Sequence, residues 1–537
     1  MAKMSSPAEC FSRVAIALFC LAGLTLSATA GPSKEKKPVS TKRLDLRTAV
    51  ALALQNNFGV SIRRVEKASA AEDVAIALAA YEPVFAASGT RNTQAAFEGI
   101  PAGDYSSYSA SVSEKLPTGA TISLSSNTSK NDFGFNFAGA ENYYSDAHIT
   151  LRQPLLRGGG LAYNRSPILL GRIGVNESDY ELRKSVLDLL RNVEIAYWEV
   201  VYANRAREVR QQTVDVAERL MRETKERGNV GLATGVEPLQ AEAALVGRLE
   251  ELITAKQAIE DRTDRLMQLM GKLGKERYSV ALPEDFPRVS NPSISDAQLD
   301  AFIQALPDYR QFDEVLARRR IYVQRAHNEA LPTFDVGVGT GYTGFGTGYS
   351  DAFNNAFRND QRDYQALFEV RVPLGFGQER ANLRKRNYEL QIDALRKQEL
   401  EQQLRAQIRE EARAVVAGNE RVRVTESLLN LNNEQFEQLT AKFQQGLTNF
   451  REMLLVQDDL REANIRAVRA KLDAVEARIR LARYDGTLLD RYGLLWAEKA
   501  KVEKPKAAQP QAVVIKAAQP QAPKPKAARW IAEPSPK

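Results

Sequence analysis

The chain has 537 residues, 26% of them charged, with a formal net charge of +7, two cysteines and two histidines. The charge does not describe a nucleic-acid-binding body: positions 498–537 hold nine basic against three acidic side chains and positions 1–30 two against one, leaving the rest neutral, whereas such a surface needs Lys and Arg gathered on a folded face. Cys10 and Cys20 both precede Ala30, so a chain cut there has no thiol for disulfides or thiolate metal sites.

In chain order, Lys3 and Arg13 precede an apolar run from Val14 to Leu26 that ends at Ala28-Thr29-Ala30. This pattern predicts a secretory signal over 1–30; the run is shorter than the roughly 20 residues of a spanning helix. A linker follows over 31–43. The two histidines, His148 and His327, each read as a strand-face or helix-surface residue, since one histidine without a cluster of carboxylate partners does not make a metal site.

From there the chain repeats itself. Tyr81-Glu82-Pro83-Val84-Phe85 corresponds to Ala330-Leu331-Pro332-Thr333-Phe334, Arg152-Gln153-Pro154-Leu155 to Arg371-Val372-Pro373-Leu374, and Gly231-Leu232 with Thr234 and Glu237 to Gly446-Leu447 with Asn449 and Glu452. The landmarks keep their order at separations of 249, 219 and 215 residues. Two repeats are expected, over 44–273 and 296–497. A proline-bearing linker, 274–295, joins them, and a capping box from Ser295 to Gln298 opens the second.

Each repeat reads as a helix, then strands, then two long helices. Strands are expected at 83–92 and 147–153 and at 334–342 and 364–372, where Tyr364, Ala366, Phe368 and Val370 alternate with Gln365, Leu367 and Glu369. Strands of about ten residues, apolar on one side and polar on the other, with aromatic ends, suit a transmembrane barrel. An additional hairpin, 108–115 and 120–126, turns at Pro117-Thr118-Gly119 and has no assigned place. Phe345, Tyr349, Phe353 and Phe357 lie in the connection between the second pair of strands.

Runs of some 65 residues, from Tyr163 to Arg227 and from Glu379 to Gln445, contain few helix breakers. Each would span roughly 100 Å. Val186, Leu190, Val193, Tyr197 and Val200, and again Leu429, Phe436, Leu439 and Phe443, recur at coiled-coil spacing, so these helices pack against other helices. The repeating Lys/Ala/Pro/Gln-rich tail, 498–537, reads as disordered.

A sheet in hydrocarbon must close on itself. Four strands cannot, two copies would make a filled eight-stranded barrel, and three begin to leave a lumen. The expected assembly is therefore a homotrimer with twelve strands, or eighteen if the additional hairpin joins the wall. The expected fold class is an α+β membrane protein, a trimeric outer-membrane β-barrel continued by a long α-helical periplasmic barrel.

The chain resembles the TolC-like outer membrane factors, also called outer membrane efflux proteins, over nearly all of its length to about residue 497. The resemblance rests on Leu44-Asp45-Leu46 to Asn56-Asn57, on Gln153-Pro154-Leu155-Leu156-Arg157-Gly158-Gly159, on Val372-Pro373-Leu374 and on the two glycine turns. It implies a trimer with a twelve-stranded barrel and a passive exit duct that needs no cofactor. It further implies that the periplasmic tip docks on an adaptor protein linked to an inner-membrane pump. The turns carrying Gly231, Leu232 and Thr234 and Gly446, Leu447 and Asn449 would receive the adaptor. Some members close the tip with a basic residue, here replaced by Thr448 with Arg451 nearby. Glu452 matches one of the acidic lumen positions, whereas Leu455 stands at the next.

The formal G-x-G-x-x-G at Gly339, Gly341 and Gly344 lies in an alternating strand, not at the strand-to-helix turn that a dinucleotide needs. No catalytic constellation stands out, so an enzyme is not expected. Besides the outer-membrane duct for efflux or type I secretion, two other readings are a periplasmic coiled-coil scaffold without a pore and a surface enzyme or adhesin carried on a barrel.

Overall fold

The structure, a computed structural model, describes residues 42–95, 103–132, 143–230, 235–274, 278–358 and 362–493. The expected signal, most of the first linker and the tail lie outside them.

The chain opens with β1 (Lys42–Leu44), α1 (Leu46–Asn56) and α2 (Phe58–Ala79). The single helix expected here is split because the Asn57 side chain accepts from Val60 N–H and caps a new helix. Four strands follow, β2 (Val84–Gln94), β3 (Gly103–Lys115), β4 (Thr121–Asp132) and β5 (Tyr143–Pro154). The one-turn α3 (Leu161–Asn164) leads into α4 (Ser166–Asn229), which is antiparallel to α5 (Glu237–Leu269). The short β6 (Tyr278–Val280) pairs in parallel with β1, a long-range contact that no local pattern announces.

The second half has the same order of two short helices, strands and two long helices, but with two sheet strands instead of four. The capping box at Ser295 opens α6 (Asp296–Ala305), and Pro307 restricts Leu306 to extended backbone, separating α6 from α7 (Pro307–Glu329). Next come β7 (Thr333–Gly346), α8 (Tyr349–Arg358), β8 (Arg362–Arg371), α9 (Gly377–Gln444), α10 (Phe450–Asp485) and the short α11 (Thr487–Arg491). The 64-residue α4 and the 68-residue α9 are each about 100 Å long. Gly418 does not interrupt α9: a Cβ there would lie 3.1 Å from Ala474 Cα, so the glycine permits close approach of α10.

Each long helix has two shorter companions. Near the sheet, α2 lies beside α4, where Lys67 pairs with Asp179 at 2.6 Å, and α7 beside α9, where Arg319 pairs with Asp393 at 2.7 Å. Toward the far end α5 and α10 take their places. The main core sits midway. There Val186, Leu190, Val193, Tyr197 and Val200 of α4 pack with α1, with Leu266 and Met270, and with Leu472, Val475 and Ile479 of α10, as the heptad spacing requires.

Glu194 is buried in this core against the Tyr492 hydroxyl and Arg491. Burial raises its carboxyl above the usual glutamate range, opposed by those two partners. A raised folded-state value contributes stability that is present below the unfolded value and is lost as pH rises through the folded one. Glu194→Gln escapes that loss, so its melting temperature relative to the parent is expected to climb as pH rises above the ordinary glutamate range. A pH-independent difference between the two thermal melts would count against this account.

The sheet is antiparallel throughout, in the order β2-β3-β4-β5-β7-β8. The additional hairpin is part of it, and its strands, like β5 and β7, run longer than the sequence pattern suggested. Between β7 and β8 the aromatic connection folds into α8. Ala352 and Ala356 of α8 are fully buried against the sheet, and a Cβ on Gly344 would come within 2.2 Å of Ala356 N. The i, i+4 repetition of Ala352/Ala356 and Phe353/Phe357 was the available helix signal. Gly344→Leu is expected to lift α8 away and to expose the Tyr349 hydroxyl, which lies 2.6 Å from Ser106 Oγ; faster proteolysis within 347–361 reads this out.

Candidate functional site

Directly paired residues share a face of a sheet, so the register sorts every strand residue. One face carries Phe85, Val112, Ile122, Leu124, Ile149, Leu151, Val338, Phe368 and Val370. These side chains are exposed, Phe368 at 71%. The apolar face continues into α8, where Tyr349 packs edge-on against Tyr108 and Tyr143, and Phe357 packs against Tyr342.

The opposite face is polar. Serines 107, 109, 111 and 113 of β3 face Ser123, Ser125 and Asn127 of β4, with Ser107 Oγ donating to Asn127 at 2.9 Å. Toward β8 lies a charged cluster. Arg152 donates to Asp335 at 3.0 and 2.6 Å and to Glu369 at 2.5 Å, while Arg371 reaches Glu369 at 2.7 Å. His148 does have carboxylate neighbours, contrary to the sequence expectation: Asp146 is 3.2 Å from Nδ1 and Asp363 is 3.9 Å from Nε2. Asp146 lies two residues away on the same face of β5, a spacing visible in the sequence, whereas strand pairing brings Asp363 of β8 to the other ring nitrogen. Among the described residues no group of three or more His, Cys, Asp or Glu side chains is arranged to hold a metal. Gly339 and Gly341 belong to this polar face and Gly344 lies beneath α8, so the formal glycine motif cradles no phosphate.

At the far end of the helices, the C-terminus of α4 lies beside that of α9. Arg227 donates to the Phe443 carbonyl at 2.8 Å, and its guanidinium lies 4.3 Å from the Phe443 ring centre. Leu220, Ala241, Leu439, Phe443, Phe450, Met453 and Val456 form a small core between the ends of α4, α5, α9 and α10. In the second turn Gly446 has φ +78°. Leu447 N–H bonds to Lys442 O at 2.9 Å and Gly446 N–H to Phe443 O at 3.0 Å, a Schellman closure that glycine permits.

Asn449 caps α10 by accepting from Glu452 N–H at 2.9 Å, and Thr448 donates to the Glu452 carboxylate at 2.6 Å. Arg451 and Glu452 are exposed, and Leu447 stands 71% exposed. Gly231, Leu232 and Thr234 lie outside the described residues. Flanking that turn, Val230, Val236 and Leu239 are exposed; Val230 belongs to the turn the sequence singles out, whereas Val236 carries no signal beyond its place beside a helix reversal.

An amphipathic antiparallel sheet continued by helices of about 100 Å has the division of faces and the length of a membrane-channel subunit with a helical stalk. Among the described residues no helix is long and apolar enough to cross a membrane. The chain belongs to the outer membrane efflux protein family, whose model matches residues 49–272 and 306–487. It is an outer-membrane efflux channel component that extends into the periplasm, in a family of channels and not of enzymes.

The fold is similar to that of the Campylobacter jejuni CmeC outer membrane channel, with 16% identity, a TM-score of 0.62, and 82% of this chain and 85% of that one covered. The Vibrio cholerae outer membrane protein VceC gives 15%, 0.61, and 82% and 96%. The open state of the Neisseria gonorrhoeae MtrE outer membrane channel gives 15%, 0.60, and 82% and 88%. No curated protein sequence matches the chain significantly.

Proposed function

We propose that three copies of the chain close into a single outer-membrane barrel and a continuous periplasmic helical barrel, a passive exit duct powered by a partner. The observation that carries this reading is the consistent division of the sheet into an exposed apolar face and a polar face, with β2 and β8 left at its ends. Apolar surface on one side suits lipid and the polar side suits water, and unpaired strand edges in hydrocarbon cost several kcal/mol per group, which closure between copies removes.

The tip turns are the docking point for a periplasmic adaptor, which joins the duct to an inner-membrane pump. Gly231, Leu232 and Thr234 in one turn and Gly446, Leu447 and Asn449 in the other form the contact set. The exposed apolar side chains around these turns, held up by a packed core, support that role. Three copies of Glu452, each held by Thr448, form a carboxylate ring that favours cations, with Arg451 beside it.

Purified from detergent-solubilised outer membranes, the protein is expected as a threefold assembly that conducts ions across a planar bilayer. Extraction without detergent as a water-soluble single subunit would instead establish the pore-free scaffold. Deletion of the chain, followed by assays of toxic-compound accumulation and of the secreted proteome, separates efflux from type I secretion. Loss of one secreted protein with unchanged tolerance would reject the drug-efflux form.

A further inference from the structure

We infer that the hairpin of β3 and β4 is part of the membrane wall, so that the assembled pore has eighteen strands and a bore that admits bulky polymers. The inference rests on the threefold closure proposed above and departs from the twelve strands implied by the family resemblance.

The hairpin is not an appendage. β3 pairs with β2 from Val84↔Ser113 to Gln94↔Gly103, and β4 pairs with β5 from Thr121↔Arg152 to Lys130↔Tyr143. At 13 and 12 residues these strands are as long as their neighbours, and they alone connect β2 to the rest of the sheet. Both faces of the wall run through them. Val112, Ile122 and Leu124 continue the exposed apolar face, and Ser109, Ser111, Ser123 and Ser125 continue the polar one. A hairpin lying on the lipid side or plugging the bore would not keep that division.

The edges also fit. β2 leaves α2 and runs away from the helices, while β8 runs back toward α9. The β2 edge of one copy therefore meets the β8 edge of the next in antiparallel sense.

Size is compatible with this placement. Strands about 4.8 Å apart and tilted about 40° give eighteen strands a circumference of about 113 Å and twelve about 75 Å. At any level of the stalk each chain contributes four helices: α4 with α2 or α5, and α9 with α7 or α10. Twelve helices packed 8–10 Å apart form a ring of about 96–120 Å. At this tilt eighteen strands match that ring, whereas twelve strands reach it only with a steeper tilt. With side chains reaching about 5 Å inward, half the usual spacing between packed sheets, the bore is about 26 Å across, against about 14 Å for twelve strands. The sheet then imposes little size selection, which falls to the stalk and its tip.

Single cysteines test this directly, since the chain beyond Ala30 has none. A fluorophore on Leu124→Cys is expected to be quenched by brominated lipid and one on Ser111→Cys only by aqueous iodide. Equal quenching of the two by one agent would remove the hairpin from the wall. Phe368→Cys on β8 serves as the reference: failure of lipid quenching there would overturn the channel reading itself, whereas its success with failure at Leu124 overturns only the strand count. On intact cells, Thr150→Cys, whose side chain is on the polar face of β5, is expected to react with a maleimide-capped polyethylene glycol of about 9 Å radius. Reaction with small maleimides alone would indicate the narrow bore and reject the inference.

Discussion

Gly446→Trp is expected to abolish export, lowering it at least tenfold, while the threefold assembly survives extraction. Gly446 has φ +78°, and a bulky L-residue there costs about 1–2 kcal/mol, a small penalty for a chain with extensive helix packing. No atom lies within 4 Å of the position a Cβ would take, so the indole projects from the tip beside Leu447 and not into the core. What it obstructs is the approach of an adaptor. Gly446→Asn is the companion variant, since asparagine tolerates left-handed backbone and adds little bulk; it is expected to retain export. Normal export by the tryptophan variant would remove this turn from the docking surface, and loss of the assembly would mean that the turn is needed for folding instead.

Arg483→Met is expected to produce the largest loss of stability, about 3 kcal/mol or more, because it leaves partly buried carboxylates without their shared cation. Arg483 is 8% exposed on α10 and bridges Asp188 of α4 at 2.7 Å and Asp308 of α7 at 3.2 Å. One guanidinium thus ties together three helices from both halves of the chain. Lys184 and Arg191, at 3.0 and 3.4 Å from the two carboxylates, soften the loss without supplying a bridge. Arg483→Lys is expected to fall between parent and methionine variant, since a point ammonium cannot fork to both partners. The contrast is Glu420→Gln, which breaks an exposed pair with Arg423 and is expected to change stability by less than about 1 kcal/mol. Thermal melts in detergent check all three; a methionine variant no less stable than the Glu420 variant would show that the bridge contributes little.

Much of the framework follows from local rules. The alternation of Tyr364, Ala366, Phe368 and Val370 placed β8, and the heptad from Val186 to Val200 gave the buried stripe of α4. Landmarks such as Pro154 and Pro373 showed two halves, and the structure carries α1 and α2 in one and α6 and α7 in the other at nearly equal lengths. Local misreadings had local causes: Asn57 and Pro307 each divide a helix through capping and backbone restriction, and α8 was hidden within an aromatic, glycine-rich connection.

The sequence by itself determined the periods, 2 for the strands and 3.5 to 3.6 for the helices, together with the positions of turns and caps, because each depends on side chains a few residues apart. Tertiary structure alone decided that the hairpin joins the sheet between β2 and β5, that His148 meets Asp363, that Arg152 gathers Asp335 and Glu369, and that Arg483 spans three helices. In the last three the partners are far apart in the chain, and in the first they are neighbouring strands whose place in the sheet local pattern leaves open; strand order, register and helix packing bring all of them within bonding distance.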